Sequence, residues 1–123
     1  MRAAARFARS VGFALRGWSH AWRTQAHLRF EVLASLVAIA AAVALGRGVA
    51  AVVLACTLVL VAELVNTAVE AIVDLVAPGP DPRAAFAKDV SAGAVLAAAL
   101  GAMGVGLAVF GPPTWRWLAA AVG

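Results

Sequence analysis

The chain has 123 residues, of which 64% are hydrophobic and 13% charged, with a mean hydropathy of +0.95. Soluble domains run at roughly 45–50% apolar and 25% charged residues, so the composition excludes an ordinary water-soluble globule and indicates an integral membrane protein of single-domain size. The formal charge of +4 comes mostly from the arginines near the N-terminus, and no nucleic-acid partner is expected.

Residues 1–24 read as an amphipathic surface helix. At about 100° per residue, Phe7, Val11, Leu15, Trp18 and Trp22 fall within one face of about 80°, and Arg2, Arg6, Arg9, Arg16 and Arg23 gather opposite. Such a helix lies along the headgroups. The first 31 residues hold six arginines, two histidines and two tryptophans without a continuous apolar run, which argues against a cleaved signal peptide. Three apolar zones follow, from about Val32 to Leu45, Gly48 to Ala77 and Val90 to Pro113. A crossing of a ~30 Å hydrocarbon core takes roughly 20 residues. The third zone supplies them with no charge, the first recruits flanking residues such as Leu28 to Glu31, and the second includes an acidic stretch. The expected fold is therefore all-α, one membrane domain over 1–123, with transmembrane helices at about 28–46, 49–77 and 85–112. Arg2, Arg6, Arg9, Arg16, Arg23 and Arg29 place the N-terminus in the cytoplasm by the positive-inside rule. Three spans then put the Pro78–Lys88 loop on that side as well.

Gly46-Arg47-Gly48 marks a tight turn, and "APGPDPR", Ala77 to Arg83, breaks the helix. In the third span Gly93, Ala97 and Gly101 recur every four residues, a small-residue seam suited to close helix packing. Trp115 and Trp117 fit an aromatic belt at the membrane edge. Cys56 is the only cysteine, so it forms no intrachain disulfide.

The second span carries the chemistry. In "AELVNTAVEAIVDLV", Asn66, Thr67, Glu70 and Asp74 lie at about −60°, +40°, −20° and +20° from Glu63, all on one helix face. That face extends roughly 16 Å at 1.5 Å per residue. A charge at the bilayer centre costs ~2.5–3.5 kcal/mol or more on insertion scales, so three carboxylates need partners, cations or water. A helix-pairing strip would need fewer of them. Carboxylates one and two turns apart suit Mg²⁺, a hard cation that prefers oxygen donors and is usually shared with substrate phosphates. Two activities share that pattern: a homo-oligomeric cation or proton conductor, and phosphoryl transfer at the membrane surface. Lys88 and Asp89 at the start of the third helix favour the second, since phosphoryl transfer is mainly positioning and charge neutralisation. Neither G-x-x-x-x-G-K-[ST] nor G-x-G-x-x-G occurs, so a nucleotide site of P-loop or protein-kinase type is excluded.

The E-x-x-N-x-x-x-E-x-x-x-D pattern, followed fourteen residues after Asp74 by "KDVSAGAVL", closely resembles the small bacterial membrane diacylglycerol kinases, a family that includes undecaprenol kinases. The resemblance covers nearly the whole chain. It implies a homotrimer of three-span subunits in the bacterial inner or plasma membrane, with active sites shared between neighbours, that moves the γ-phosphoryl group of MgATP to a lipid hydroxyl. It also implies roles: Glu63 as general base, Asn66 as an orienting hydrogen bonder and Glu70 as the Mg²⁺ ligand. Lys88, Asp89, Arg6 and Phe13 would contact nucleotide, and Glu31 would be a further polar site residue. Where the best-known diacylglycerol kinases have a second metal-binding glutamate in a W-x-x-E context, this chain has Trp22-Arg23-Thr24-Gln25. Gln25 can offer Mg²⁺ a carbonyl oxygen but no charge. "RTQAHLR" looks more like the undecaprenol kinase branch. His27 is expected to be a packed or interfacial histidine.

Overall fold

The computed structural model describes residues 2–122, with the side chains of Arg2, Ala3 and Val122 outside the described part. Arg2, counted above on the basic face of the first helix, is therefore not placed. Four helices account for almost all of the described chain: α1 (Arg2–Thr24), α2 (Ala26–Ala44), α3 (Val49–Val76) and α4 (Pro82–Val122). The last three are long and apolar enough to cross a membrane, as expected where every backbone amide must be satisfied within its own segment.

One residue, Gln25, separates α1 from α2. Its backbone is extended (φ −105°, ψ 108°), and its amide still donates to the Ala21 carbonyl at 2.8 Å. Arg29 Nη1 reaches back to the Trp22 carbonyl at 3.4 Å, tying the corner, and Ala21 and Leu28 are buried on either side of it. The apolar face of α1 meets no such cover: Phe7, Val11, Leu15, Trp18 and Trp22 are all exposed.

α3 is the central helix. It packs most extensively on α4 and next on α2, whereas α1 packs chiefly on α2. The α2–α3 turn places Gly46 and Gly48 at φ +62° and +60°, and Ala42, Val52 and Val109 form a small core below it. Apart from these and Ala21, Leu28, Val59 and Ala98, the large apolar side chains are mostly exposed, as suits lipid-facing residues. Ser35, Glu63 and Asn66 are among the few buried residues.

The α3–α4 connection runs over residues 77–81, and α4 begins at Pro82 rather than near residue 85. Asp81 caps it, its Oδ1 accepting from the Arg83 amide at 2.8 Å, and Pro82 at the first helical position lacks only a donor that would be unpaired there anyway. The Arg83 side chain holds the Asp81 carboxyl below its usual range. That contribution is complete at neutral pH and disappears as acid titrates through the lowered folded value. α4 also does not stop at residue 112. It continues through Pro112 and Pro113 to Val122. Gly111 leaves room for the proline ring that a larger residue would crowd, and the Thr114 hydroxyl donates to the Phe110 carbonyl.

The seam of Gly93, Ala97 and Gly101 is not used within this chain. All three are exposed, and a Cβ on Gly93 or Gly101 would meet nothing within 4 Å. The inner face of α4 runs through Ala98 and Val109 instead.

The two turn glycines predict different sensitivities. Gly46→Ala should lose only the left-handed backbone penalty, roughly 1–2 kcal/mol. At Gly48 a Cβ would also lie 2.5 Å from Val109 Cγ2, a stiff β-branched neighbour, so Gly48→Ala should lose about 1–3 kcal/mol more. Unfolding in mixed micelles compares them; equal losses would contradict this packing.

Candidate phosphoryl-transfer site at the α3–α4 end

The polar strip of α3 faces α4 and α2. Glu63 and Asn66 are 7% and 9% exposed, Thr67 and Glu70 are half-buried, and Asp74, one turn from the loop, is exposed. Burial thus falls along the strip from Glu63 towards the loop, an environment graded from dry to wet.

Two cross-links join the strip to α4. Lys88 Nζ donates to Asp74 Oδ1 at 2.5 Å across the loop. One turn further in, the Ser91 hydroxyl lies 2.6 Å from Asn66 Oδ1 and 2.9 Å from the Lys88 carbonyl. Asn66 Nδ2 in turn donates to Glu70 Oε1 at 3.3 Å. Ser91, Asn66 and Glu70 therefore form a connected chain, with the amide between a hydroxyl and a carboxylate.

Glu63 stands apart from this chain and makes no side-chain hydrogen bond among the described residues. It faces α2, where Glu31 lies within electrostatic range of both Glu63 and His27. Glu31 Oε2 is buried without a partner among the described residues. His27 is exposed rather than packed. His27 and Glu31 form the polar end of a cavity of about 500 Å³ between α2, α3 and α4, which continues past Ser35 and Cys56 to Gly106 and Phe110. Its walls are otherwise alanine, valine and other apolar side chains, suited to a hydrocarbon chain.

The expected site residues thus fall into two sets. Glu31 lies within electrostatic range of Glu63, Asn66 and Glu70 are hydrogen-bonded, and Lys88 joins the strip through Asp74. Asp89 does not: adjacent helical residues point about 100° apart, and with Lys88 turned to α3 Asp89 is exposed. Arg6 is exposed on α1, outside the packed bundle. Phe13 is 63% exposed with the Arg16 guanidinium 4.7 Å above its ring. Gln25 is half-buried at the α1–α2 corner, and its side chain does not cap α2. Among the described residues no group of three or more His, Cys, Asp or Glu side chains could hold a metal by itself. Ser91 was given no role by the sequence pattern; its position one turn after Lys88 was the available signal.

Residues 12–110 match the family described as prokaryotic diacylglycerol kinase. The chain belongs to that family. The matched region contains α2, α3 and the whole of the strip and its α4 partners, and leaves Arg6 outside. The chain is also 42% identical over 108 residues to a diacylglycerol kinase from Synechocystis sp., which covers 85% of this chain and 62% of the relative. It thus spans less than two thirds of that relative's length. In this diacylglycerol kinase family member, the buried amide chain and the exposed ion pair should differ in weight. Asn66→Ala, which removes two side-chain hydrogen bonds, should destabilise by about 1–2 kcal/mol at roughly 0.6 kcal/mol or more for each, while Asp74→Asn should cost less, under about 1 kcal/mol, because its ion pair is exposed. Denaturation in micelles measures both; the reverse order would contradict the geometry.

Proposed function

We propose that this chain is an ATP-dependent lipid kinase, moving the γ-phosphoryl group of MgATP to the hydroxyl of diacylglycerol or undecaprenol. The observation that carries the reading is an acidic strip on α3 with a lysine paired to it from α4; a mostly apolar cavity whose polar end is His27 and Glu31 lies between α2, α3 and α4. Family membership and the related diacylglycerol kinase support it.

Glu63 is the base. It is buried and free of hydrogen bonds among the described residues, so its carboxylate is available to a hydroxyl. As the acceptor oxygen bonds to the γ-phosphorus, its proton passes to Glu63 and the bond from phosphorus to the ADP oxygen breaks. Glu31 accepts a hydrogen bond from the acceptor headgroup at the cavity mouth, and the tail lies along the apolar walls. Lys88 exchanges Asp74 for phosphate oxygens, neutralising charge as it shifts from the substrate to the leaving group. Asp89, Arg6 and Phe13 add nucleotide contacts.

The donor set fits Mg²⁺ that arrives with nucleotide. Glu70 has one oxygen engaged by Asn66 and another left for a cation, and Mg²⁺ in such sites takes one or two carboxylates plus phosphates and waters rather than an all-protein cage. Gln25 would supply a neutral oxygen from the α1–α2 corner. Mg²⁺ contributes neutralisation of the phosphate charge; the chain's own part is to hold the carboxylate still. Subunits assemble as a homotrimer, for which the outward Gly93/Ala97/Gly101 seam offers a close-packing face. The arginine-rich α1 lies on the cytoplasmic surface of the bacterial inner or plasma membrane, with the N-terminus and the α3–α4 loop on that side. A conductor is not favoured, because the face of α3 beyond Glu63 continues through Val59, Cys56 and Val52 without a further carboxylate.

Purified protein in mixed micelles with labelled ATP, Mg²⁺ and each lipid should phosphorylate at least one. Glu63→Gln and Glu70→Gln should each lose tenfold or more in turnover, about 1.4 kcal/mol in barrier. No transfer to either lipid, with ion flux into liposomes instead, would overturn the reading.

A further inference from the structure

We infer that Ser91 is a positioning residue, which fixes the orientation of the Asn66 amide and through it the Glu70 carboxylate. The functional consequence rests on the kinase reading above; the structural link does not.

An asparagine amide has two orientations that differ by exchange of oxygen and nitrogen, and the surrounding hydrogen bonds choose between them. At Asn66 only one is favourable. With Nδ2 towards Glu70 the amide donates to the carboxylate, whereas the reverse would set oxygen against oxygen. That orientation leaves Oδ1 facing α4, buried and in need of a donor. Ser91 supplies it, its hydroxyl 2.6 Å from Oδ1. The hydroxyl carries one proton, and the alternative acceptor, the Lys88 carbonyl, is further away at 2.9 Å. The chain of donation runs in one direction, from Ser91 to Asn66 to Glu70. It leaves Glu70 Oε1 occupied and its second oxygen presented to a cation. Hydrogen-bonded partners of a ligating carboxylate typically change metal affinity or activity by 10–100-fold when removed.

Ser91 also stands one turn from Lys88, so the same α4 turn fixes the acidic strip at two points, Asp74 by the lysine and Asn66 by the serine. No role was read for Ser91 from the sequence, since nothing in the period of α4 identifies which residue of α3 it meets.

Asn66 is the only asparagine in the sequence, which gives a direct test. Protein labelled with ¹⁵N-asparagine in micelles, without nucleotide or metal, shows one side-chain amide pair. Ser91→Ala, which favours the helix slightly, should move that pair towards free-amide positions and speed its exchange with solvent. Ser91→Thr, which keeps a hydroxyl, should restore the wild-type signal. An unchanged pair in Ser91→Ala would overturn the inference, whether or not the chain is a kinase. In the lipid-kinase assay, Ser91→Ala should raise the Mg²⁺ concentration for half-maximal rate about tenfold, leave KM for the lipid unchanged, and have no further effect in an Asn66→Ala background. Mn²⁺ binding in the presence of ADP, followed by electron paramagnetic resonance, should weaken in parallel. An active wild type with unaltered Mg²⁺ dependence and Mn²⁺ affinity in Ser91→Ala would overturn the inference, and an inactive wild type would overturn the kinase reading instead.

Discussion

A polar side chain inside hydrocarbon must find its partner within the protein, because water is not there to supply one. In this chain that constraint falls hardest on α3, which buries Glu63 and Asn66 on the face that also carries Glu70 and Asp74. The bond from Ser91 to Asn66 is how α4 meets it. Most of the apolar surface faces outward, so few apolar side chains, Val52, Val59, Ala98 and Val109 among them, are buried on α3 and α4, and the hydrogen-bonded chain adds a polar link between the two helices. The same α4 turn delivers Lys88 to Asp74.

Burial falls along α3 from Glu63 to Asp74. At the dry end, Glu63 is buried within electrostatic range of Glu31, which lines the mostly apolar cavity. At the wet end stand Glu70, Asp74 and Lys88, the charges that the proposed nucleotide and cation would meet. Asn66 sits between and is bonded to the wet side only. A lipid hydroxyl and a phosphate could meet there without either leaving the environment that suits it. That is the physical attraction of the proposed reaction.

The strip itself was legible in the sequence because helical period alone puts Glu63, Asn66, Thr67, Glu70 and Asp74 on one face, and cost alone says the face is not turned to lipid. The number of spans was legible from apolar length. Partners across helices were not. Period places Ser91 on a face of α4 but does not say what that face meets, and it could not say that the Gly93/Ala97/Gly101 seam faces away from the chain's own helices. Lys88 and Asp89 read as a pair, yet neighbours on a helix cannot both face α3, and only the lysine does. The expected end of the third span is at about residue 112, but α4 runs on through Pro112 and Pro113 to Val122. At the other end of α4, Asp81 and Pro82 are a helix start hidden inside what reads as a break.

The central claim is that a cation and a nucleotide bind beside this strip, next to Asn66. The most direct measurement, in protein labelled with ¹⁵N-asparagine and ¹⁵N-tryptophan, is paramagnetic broadening of the single asparagine side-chain signal by Mn²⁺ added with a non-hydrolysable ATP analogue, using Mg²⁺ with the same analogue as the diamagnetic control. The account predicts that Mn²⁺ quenches the Asn66 pair at concentrations that leave tryptophan indole signals at Trp115 and Trp117 intact. An Asn66 signal no more affected than those indoles would contradict it.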